Sequence, residues 1–415
     1  MAQLSDDCFA FGAAPMRLAE AALLLRQRVS PVEGTEQVPL AAALGRVLAA
    51  QLVAPISLPP FDNSAVDGFA VRHADLHPGE ETALPVVARV AAGQQAPHLP
   101  PLSAIRIFTG APIPQGADTV FMQEDTRLDG PTVVLPPGLP PFANYREAGE
   151  DVAIGERALP AGQVLRPQDI ALAAALGQTS LAVQRRLRVG VFSTGDELAA
   201  AGASLSGPRI FDSNRPMLLT MLARAGAEAM DLGILPDQPA ALAEALARAG
   251  RAHDLLLTSG GVSTGDEDHV KAAVAEAGRL DHWRVAIKPG RPVAMGTVGG
   301  AAFVGLPGNP VAVFVTFAHI VRPLLAALSG ALWTPPRPMP VLSGFAYRKK
   351  QNRREYVRVS LRAEGSGWVA TKWPQDGAGV ITSLTGTDGL LELEEERTGL
   401  EPGEEAGFLA YEALG

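Results

Sequence analysis

The chain has 415 residues, 47% hydrophobic and 19% charged, with a formal net charge of −9. That length supports about three domains, the apolar content excludes a disordered chain, and the acidic balance excludes a general nucleic-acid-binding surface while leaving room for one basic pocket. The single cysteine, Cys8, excludes an internal disulfide framework and a cysteine metal site.

The opening MAQLSDDCFAFG has neither a basic region nor an apolar core, so no signal peptide is expected. Arg17 to Val29 is rich in helix formers and stops before Ser30-Pro31, which predicts a helix. Pro39 to Gln51 predicts a second one. From Pro55 to Gly162 the chain turns to prolines, glycines and short β-prone runs such as LPVVARV and AIRIFTG, the texture of a strand-rich region. A short helix over Gln168 to Leu176 ends at Gly177.

From Leu187 the rhythm changes. RVGVFSTG, EAMDLGIL and DLLLTSGG read as buried strands, and RPMLLTMLARAG, PAALAEALARAG and DHVKAAVAEAG as helices. The first two helices carry proline near the start and glycine after the end. RVAIKPG, VAMGTV and AFVGLPG add further strands. Such alternation predicts βα units on a mainly parallel sheet over about 184–332. The most apolar segment, from Pro310, is broken by His319, Arg322 and Pro323 and reads as a buried helix rather than a membrane span. TPPRPMP is a linker, and YVRVSLRAE and GWVATKW mark a small C-terminal β domain.

Ligands of open α/β sheets bind beyond the carboxyl ends of the strands, beside helix N-termini. Three loops there carry chemistry. In TSGGVSTGDEDH, Gly260 and Gly261 let the backbone turn tightly and approach a ligand. Ser259, Ser263 and Thr264 add hydroxyls, and the following helix points free N–H groups at the same place, which suits a phosphate. Asp268 as a helix cap accounts for one acid; three together, Asp266, Glu267 and Asp268, point to a cation shared with phosphate oxygens. FSTGDEL repeats this chemistry around Asp196 and Glu197, either as a capped turn or as part of the same site. LPGNP is a stiff turn with Asn309 as cap and Pro310 in the first helical turn, and its location would also line the site. Lys288 and Arg291, in IKPGRP, either reach solvent or neutralise a phosphate or oxyanion. Two polar loops lie in the strand-rich region: PPFDNSAVDGFAVR, with Asp62, Asn63, Ser64 and Asp67, and REAGEDV at residues 146–152. Residue chemistry alone does not join them to the other loops. His73 and His77 read as surface residues, and there is no GxSxG elbow and no HExxH.

Taken in order, PPFDNSAVDGFAVR, RIFTGAPIPQGADTVFMQED, GED, FSTGDEL, SGGVSTGDEDH, IKPGRP and GLPGNP resemble the molybdopterin molybdenumtransferases, the MoeA family that includes the E domain of gephyrin. The resemblance covers nearly the whole chain. It implies a multidomain α/β plus β protein. Extended domain I is made of residues 1–56 and 149–183. A strand-rich domain II at 57–148 is inserted in it. A three-layer α/β domain III at 184–332 resembles the MogA fold, and a small β-barrel domain IV occupies 333–415.

The implied activity is molybdenum insertion: molybdate and adenylylated molybdopterin are consumed, AMP is released and molybdenum cofactor results. The metal-binding sulfurs then belong to the substrate, which fits a chain whose only cysteine is Cys8. The resemblance also implies Mg2+ linked to the substrate, a cytoplasmic location, and a homodimer whose site is shared between subunits. Molybdopterin adenylyltransferase and molybdoenzyme maturation proteins are implied partners, with no nucleic acid or membrane. Carried over residue by residue, Asp67, Thr109, Asp151, Glu197, Asp268 and Lys288 are catalytic. Arg146, Asp237, Ser259, Gly260, Gly261, Arg284 and Arg291 bind substrate, and Glu197 and Asp268 are the metal or phosphate-end groups. Arg284 stands where many relatives have lysine, and Ala378 where some have a functional serine.

A molybdopterin adenylyltransferase would need only the α/β domain. A scaffold would tolerate loss of Asp67, Glu197 or Asp268, which are intact here. Tungstate and molybdate are not separable from sequence.

Overall fold

The computed structural model describes residues 15–236, 238–261, 269–290 and 292–415. The α/β unit is built on a six-stranded sheet in the order Glu228–Leu235, Arg188–Thr194, Leu255–Ser259, Ala301–Leu306, Pro292–Val298, Gly278–Arg284. The first four strands are parallel to one another, and the last two run antiparallel as a hairpin-like edge. Successive strand residues face opposite sides of a sheet, and both sides here are apolar. Val191, Leu257 and Val304 join one buried cluster with Leu218, Leu222 and Leu324. Their neighbours Phe192, Leu256 and Phe303 join another with Leu242, Leu246 and Val270. The continuous apolar strands and the amphipathic helices thus account for the three layers.

The helix after Asn309 runs from Pro310 to Ser329. It is apolar and long enough to cross a membrane, yet 78% of its most apolar window is buried inside the protein. It is a core helix. Pro323 cannot donate to the carbonyl four residues earlier, and the turn before it, Phe317–Val321, is wound as a π-helix. The N-terminal helix, Leu18–Arg28, packs Ala21 and Leu25 into the same cluster.

The strand-rich region forms a second six-stranded sheet, ordered Thr119–Met122, Gly68–Val71, Ala104–Ile107, Thr82–Val90, Thr132–Leu135, Arg127–Asp129. The segments flanking it in sequence meet each other. Thr35–Pro39 pairs antiparallel with Ser180–Gln184, and Leu52–Val53 with Arg157–Leu159. The expected helix over Pro39–Gln51 is not formed. Only Leu40–Ala42 makes a 3-10 turn, and Gly45 at φ +72° breaks the run. Val47 and Leu48 instead bridge to Val164 and Val183. Their partners are over a hundred residues away, and that pairing overrides the local helical composition.

At the C-terminus, Arg354–Glu364, Gly367–Lys372, Met339–Ser343, Glu405–Ala410 and Gly389–Leu393 pair in that order. The last strand pairs back to the first, closing a five-stranded barrel around Val341, Val359 and Leu391.

His319 stacks on Tyr356 of the barrel, ring centroids 4.3 Å apart, at the joint between the two units. Burial, then the charges of Arg354 and Arg322, push its pKa down to about 3. A neutral histidine in the folded state and a titrating one in the unfolded state make stability fall as pH drops below about 6.5. Urea denaturation of His319→Phe, which keeps the ring stack, is expected to give a flatter stability profile between pH 6.5 and 4 than the parent. The difference is at most about 1.4 kcal/mol per pH unit.

Candidate active site

The carboxyl ends of Arg188–Thr194, Leu255–Ser259 and Ala301–Leu306 lie side by side. Their loops carry the glycine, hydroxyl and acidic residues. Beyond the central strand, Gly260 and Gly261 have φ of +87° and +66°, conformations that glycine adopts without cost. Gly261 is also crowded: an added Cβ would lie 2.5 Å from Val270 Cγ2 and 3.3 Å from Thr194 Cγ2. The turn therefore packs directly between the neighbouring strand end and the helix His269–Ala277.

Ser259 is buried. Its hydroxyl accepts from Asn214 Nδ2 at 2.8 Å and donates to the Pro307 carbonyl at 3.1 Å. Asn214 Nδ2 also donates to the Gly308 carbonyl at 2.7 Å. One amide thus ties the TSGG turn to the LPGNP turn. Its other atom, Asn214 Oδ1, is buried without a partner among the described residues. Such an acceptor invites a donor from a bound molecule.

Asn214 opens the helix Asn214–Arg224, which an ionic network fixes. Asp212 Oδ2 accepts from Ser193 Oγ at 2.7 Å and from Arg215 Nε at 2.9 Å. Arg215 also pairs with Asp231. Burial opposes the Arg215 charge, but the two carboxylates outweigh it and raise its pKa. Burial likewise opposes the Asp231 charge, and the Gly233 N–H and Arg215 still hold its pKa below the usual range. Asp212, Asn214 and Arg215 are absent from the sequence-based site. The signal available is the run Asp212-Ser213-Asn214-Arg215-Pro216, of which only Arg215 and Pro216 belong to the helix expected from the sequence.

Glu197 is exposed and its carboxylate lies over Gly195, whose added Cβ would sit 2.5 Å from Glu197 Oε2. The Lys288 ammonium is paired within the chain. Its Nζ donates to Tyr347 OH and to Glu355 Oε2, each at 3.1 Å. Burial opposes its charge, yet these bonds raise its pKa. Lys288 pairs in register with Glu355, linking the α/β unit to the barrel. The exposed Arg284 ends the edge strand, and its carbonyl accepts from the Met16 N–H at 2.7 Å. Asp237, Asp268 and Arg291, with Asp266, Glu267, Ser263 and Thr264, lie outside the described residues.

The second group sits on the strand-rich sheet. Asp67 Oδ1 accepts from both the N–H and the hydroxyl of Thr109, each at 2.8 Å. The main-chain donor, then the hydroxyl, lower the Asp67 pKa. The residue after Asp67 has to be glycine, since a Cβ at Gly68 would meet the Phe121 carbonyl oxygen at 1.7 Å. The two polar loops of this region meet. Asn63–Ser64 pairs with Tyr145–Arg146, and Asp62 accepts from Tyr145 OH and from the Ala148 N–H. Burial, then the Asp62 bond, raise the Tyr145 pKa. Arg146 pairs with Glu150, and the Asp151 N–H donates to the Leu58 carbonyl at 3.0 Å. Among the described residues no hydrogen bond or ion pair joins this group to Glu197, Ser259 or Lys288.

Three family models match the chain. The MoeA N-terminal region (domain I and II) matches residues 16–177, the probable molybdopterin binding domain 190–327, and the MoeA C-terminal region (domain IV) 341–411. A molybdopterin molybdenumtransferase of Haemophilus influenzae is 37% identical over 385 residues, 92% of this chain and 95% of that protein. The chain belongs to the molybdopterin molybdenumtransferases of the MoeA family. A relative of the same name from a Nostoc species is 40% identical over 313 residues, covering 73% of this chain and 72% of its own. The crystal structure of a molybdopterin biosynthesis MoeA protein from Pyrococcus horikoshii matches with a TM-score of 0.81 at 31% identity, over 96% of this chain and 100% of that one. The family expected from the motifs is therefore the one found, as is its combination of an α/β domain, an inserted strand-rich domain and a C-terminal β-barrel.

In this family member the Asn214 amide holds two loops in register. Asn214→Leu would leave the Ser259 hydroxyl and the Gly308 carbonyl without their donor, at a cost of about 1–3 kcal/mol. Chemical denaturation is expected to register that loss as a lower midpoint with an unchanged slope.

Proposed function

We propose that this chain inserts molybdenum from molybdate into adenylylated molybdopterin with release of AMP, at a site completed by a second copy of the chain in a cytoplasmic homodimer. Family membership supports the insertion chemistry. The observation that carries the shared site is the separation of two polar groups within one chain. Asp67, Thr109, Arg146 and Asp151 sit on one unit, and Glu197, Ser259, Gly260 and Gly261 on another, with no bond between them among the described residues. The four-domain division at 1–56 with 149–183, 57–148, 184–332 and 333–415 belongs to the same proposal, and the pairing of Thr35–Pro39 with Ser180–Gln184 supports joining the first two segments.

In this reading the positive-φ turn at Gly260-Gly261 offers main-chain N–H groups to the substrate phosphates. Asn214 Oδ1 accepts from a substrate donor. Arg284 and, outside the described residues, Arg291 and Asp237 contact substrate. Lys288 orients the barrel against the site and adds positive charge. Mg2+ typically binds through one or two carboxylates and completes its shell with phosphate oxygens and water. The exposed Glu197 carboxylate beside the glycine turn of Gly195 suits that mode. Glu197 would hold the ion, with Asp268 from outside the described residues. When bound, the ion polarises the phosphoanhydride as a Lewis acid. Asp67, kept ionised by Thr109, and Asp151 would face this group from the partner subunit and orient the reacting oxyanion.

Single-turnover AMP release from adenylylated molybdopterin with Mg2+ tests the activity. Release that requires molybdate is expected; release indifferent to molybdate, or binding without release, would overturn it, and a parallel tungstate series reads the oxyanion preference. Asp67→Ala and Glu197→Ala are each expected to be inactive while dimeric. Subunit exchange between them should restore about a quarter of parent activity, because half the dimers are mixed and each mixed dimer holds one intact site of two. No recovery after verified exchange rules out the shared site. Thr109→Val removes one of two donors to Asp67, so the acid limb of the activity profile should move to higher pH.

A further inference from the structure

At the opposite edge of the α/β sheet lies a cleft of about 570 Å³, within the range of small-molecule sites. Its walls come from the turn at Leu44–Val47, the segment just before Arg188–Thr194, the end of the Asn214–Arg224 helix, and the end of the Pro310–Ser329 helix. It is therefore about one strand length, roughly 20 Å, from the glycine loops.

Among the described residues, five arginines line this cleft, Arg46, Arg185, Arg186, Arg224 and Arg322, and no aspartate or glutamate does. That is the reverse of a chain carrying −9 overall. Two of the five are neutralised from behind: Arg46 pairs with Glu36 at 2.8 Å, and Arg185 with Asp254 at 2.7 Å. Among the described residues the other three hydrogen-bond to main-chain carbonyls and have no ion pair. Arg186 donates to Gly226 at 3.0 Å, Arg224 to Glu412 at 3.2 Å and Arg322 to Ala413 at 2.7 Å. Those bonds fix the guanidinium planes and leave their charges uncompensated. Burial, then the charge of Arg224, lower the Arg322 pKa. A bound anion would relieve that repulsion.

Apart from Gln184 and Ser329, the rest of the described lining is apolar or glycine. Leu44, Val164, Leu332 and Trp333 form it beside the arginines, and the Arg322 guanidinium lies 5.5 Å from the Trp333 ring centre. A planar cation on an indole face and a flat apolar wall suit an aromatic ring. Arginine forks suit phosphate oxygens.

We infer that this cleft is a second ligand site, distinct from the glycine-loop edge, that binds a phosphate monoester carried on a flat aromatic body of mononucleotide size. The phosphate sits among Arg186, Arg224 and Arg322, and the ring lies on the Trp333 wall.

The test is calorimetric titration of the full chain with 1-naphthyl phosphate, which has this chemistry and lacks adenosine and pterin. Saturable binding of one molecule per chain is expected, with inorganic phosphate competing more weakly. Arg224→Gln and Arg186→Gln should each weaken binding at least about tenfold. Trp333→Leu should weaken 1-naphthyl phosphate and leave inorganic phosphate unchanged. Glu197→Gln and Ser259→Ala, at the other edge, should have no effect. Far-UV circular dichroism and melting temperature of each variant verify folding, and Arg224, being exposed, is the arginine whose replacement perturbs the fold least. Absence of saturable binding overturns the proposal. So does binding that folded arginine variants leave intact, or that is lost with Glu197→Gln. A dimerisation that abolishes binding as protein concentration rises would assign the cleft to a second copy of the chain instead.

Discussion

The site depends on one buried guanidinium. Arg215 stands between Asp212 and Asp231, and Asp212 in turn accepts from Ser193 at the end of a central strand. A strand end, the loop after it, the next helix and the edge strand are thereby held together. Removing one member of a buried, paired set leaves an uncompensated charge and costs about 3–5 kcal/mol. The arrangement matters less for its net strength than for where it puts the helix. With Arg215 fixed, the preceding residue, Asn214, has its amide bonded to both the TSGG and the LPGNP turns.

Much of this was legible along the chain. Alternating apolar strands and helices gave the α/β unit, because its central strands, Arg188–Thr194, Leu255–Ser259 and Ala301–Leu306, are buried on both faces, and the helices His269–Ala277 and Pro310–Ser329 stop at a glycine. The glycine-rich turns were legible because their positive φ demands glycine. Pairings between distant short segments were not. Val47 and Leu48 lie in a stretch rich in alanine and leucine, and only their partners Val164 and Val183 make them extended. The meeting of Asn63–Ser64 with Tyr145–Arg146 was invisible for the same reason.

The partial reading of the site has a different cause. Asp212, Asn214 and Arg215 look like ordinary helix-start residues, and their role appears only when Ser193, Ser259 and Gly308 converge on them in space. Lys288 shows the converse. Its motif left it either reaching solvent or neutralising an anion, and its ammonium is bound to Tyr347 and Glu355 of the barrel. A motif conveys which residue type is needed, while the partner it meets comes from a domain sixty residues downstream.

The barrel reaches the α/β unit at one more point. The Ala378 carbonyl accepts from the Val311 N–H at 3.0 Å, in the first turn of the helix that follows LPGNP. The cap of a core helix is thus supplied from another part of the same chain by a main-chain atom, for which side-chain identity is indifferent. Swapping the barrel for that of a relative, whatever residue stood at this position, would preserve the cap provided the loop kept its length. Shortening the loop by a single residue would uncap the helix without altering any residue of the α/β unit.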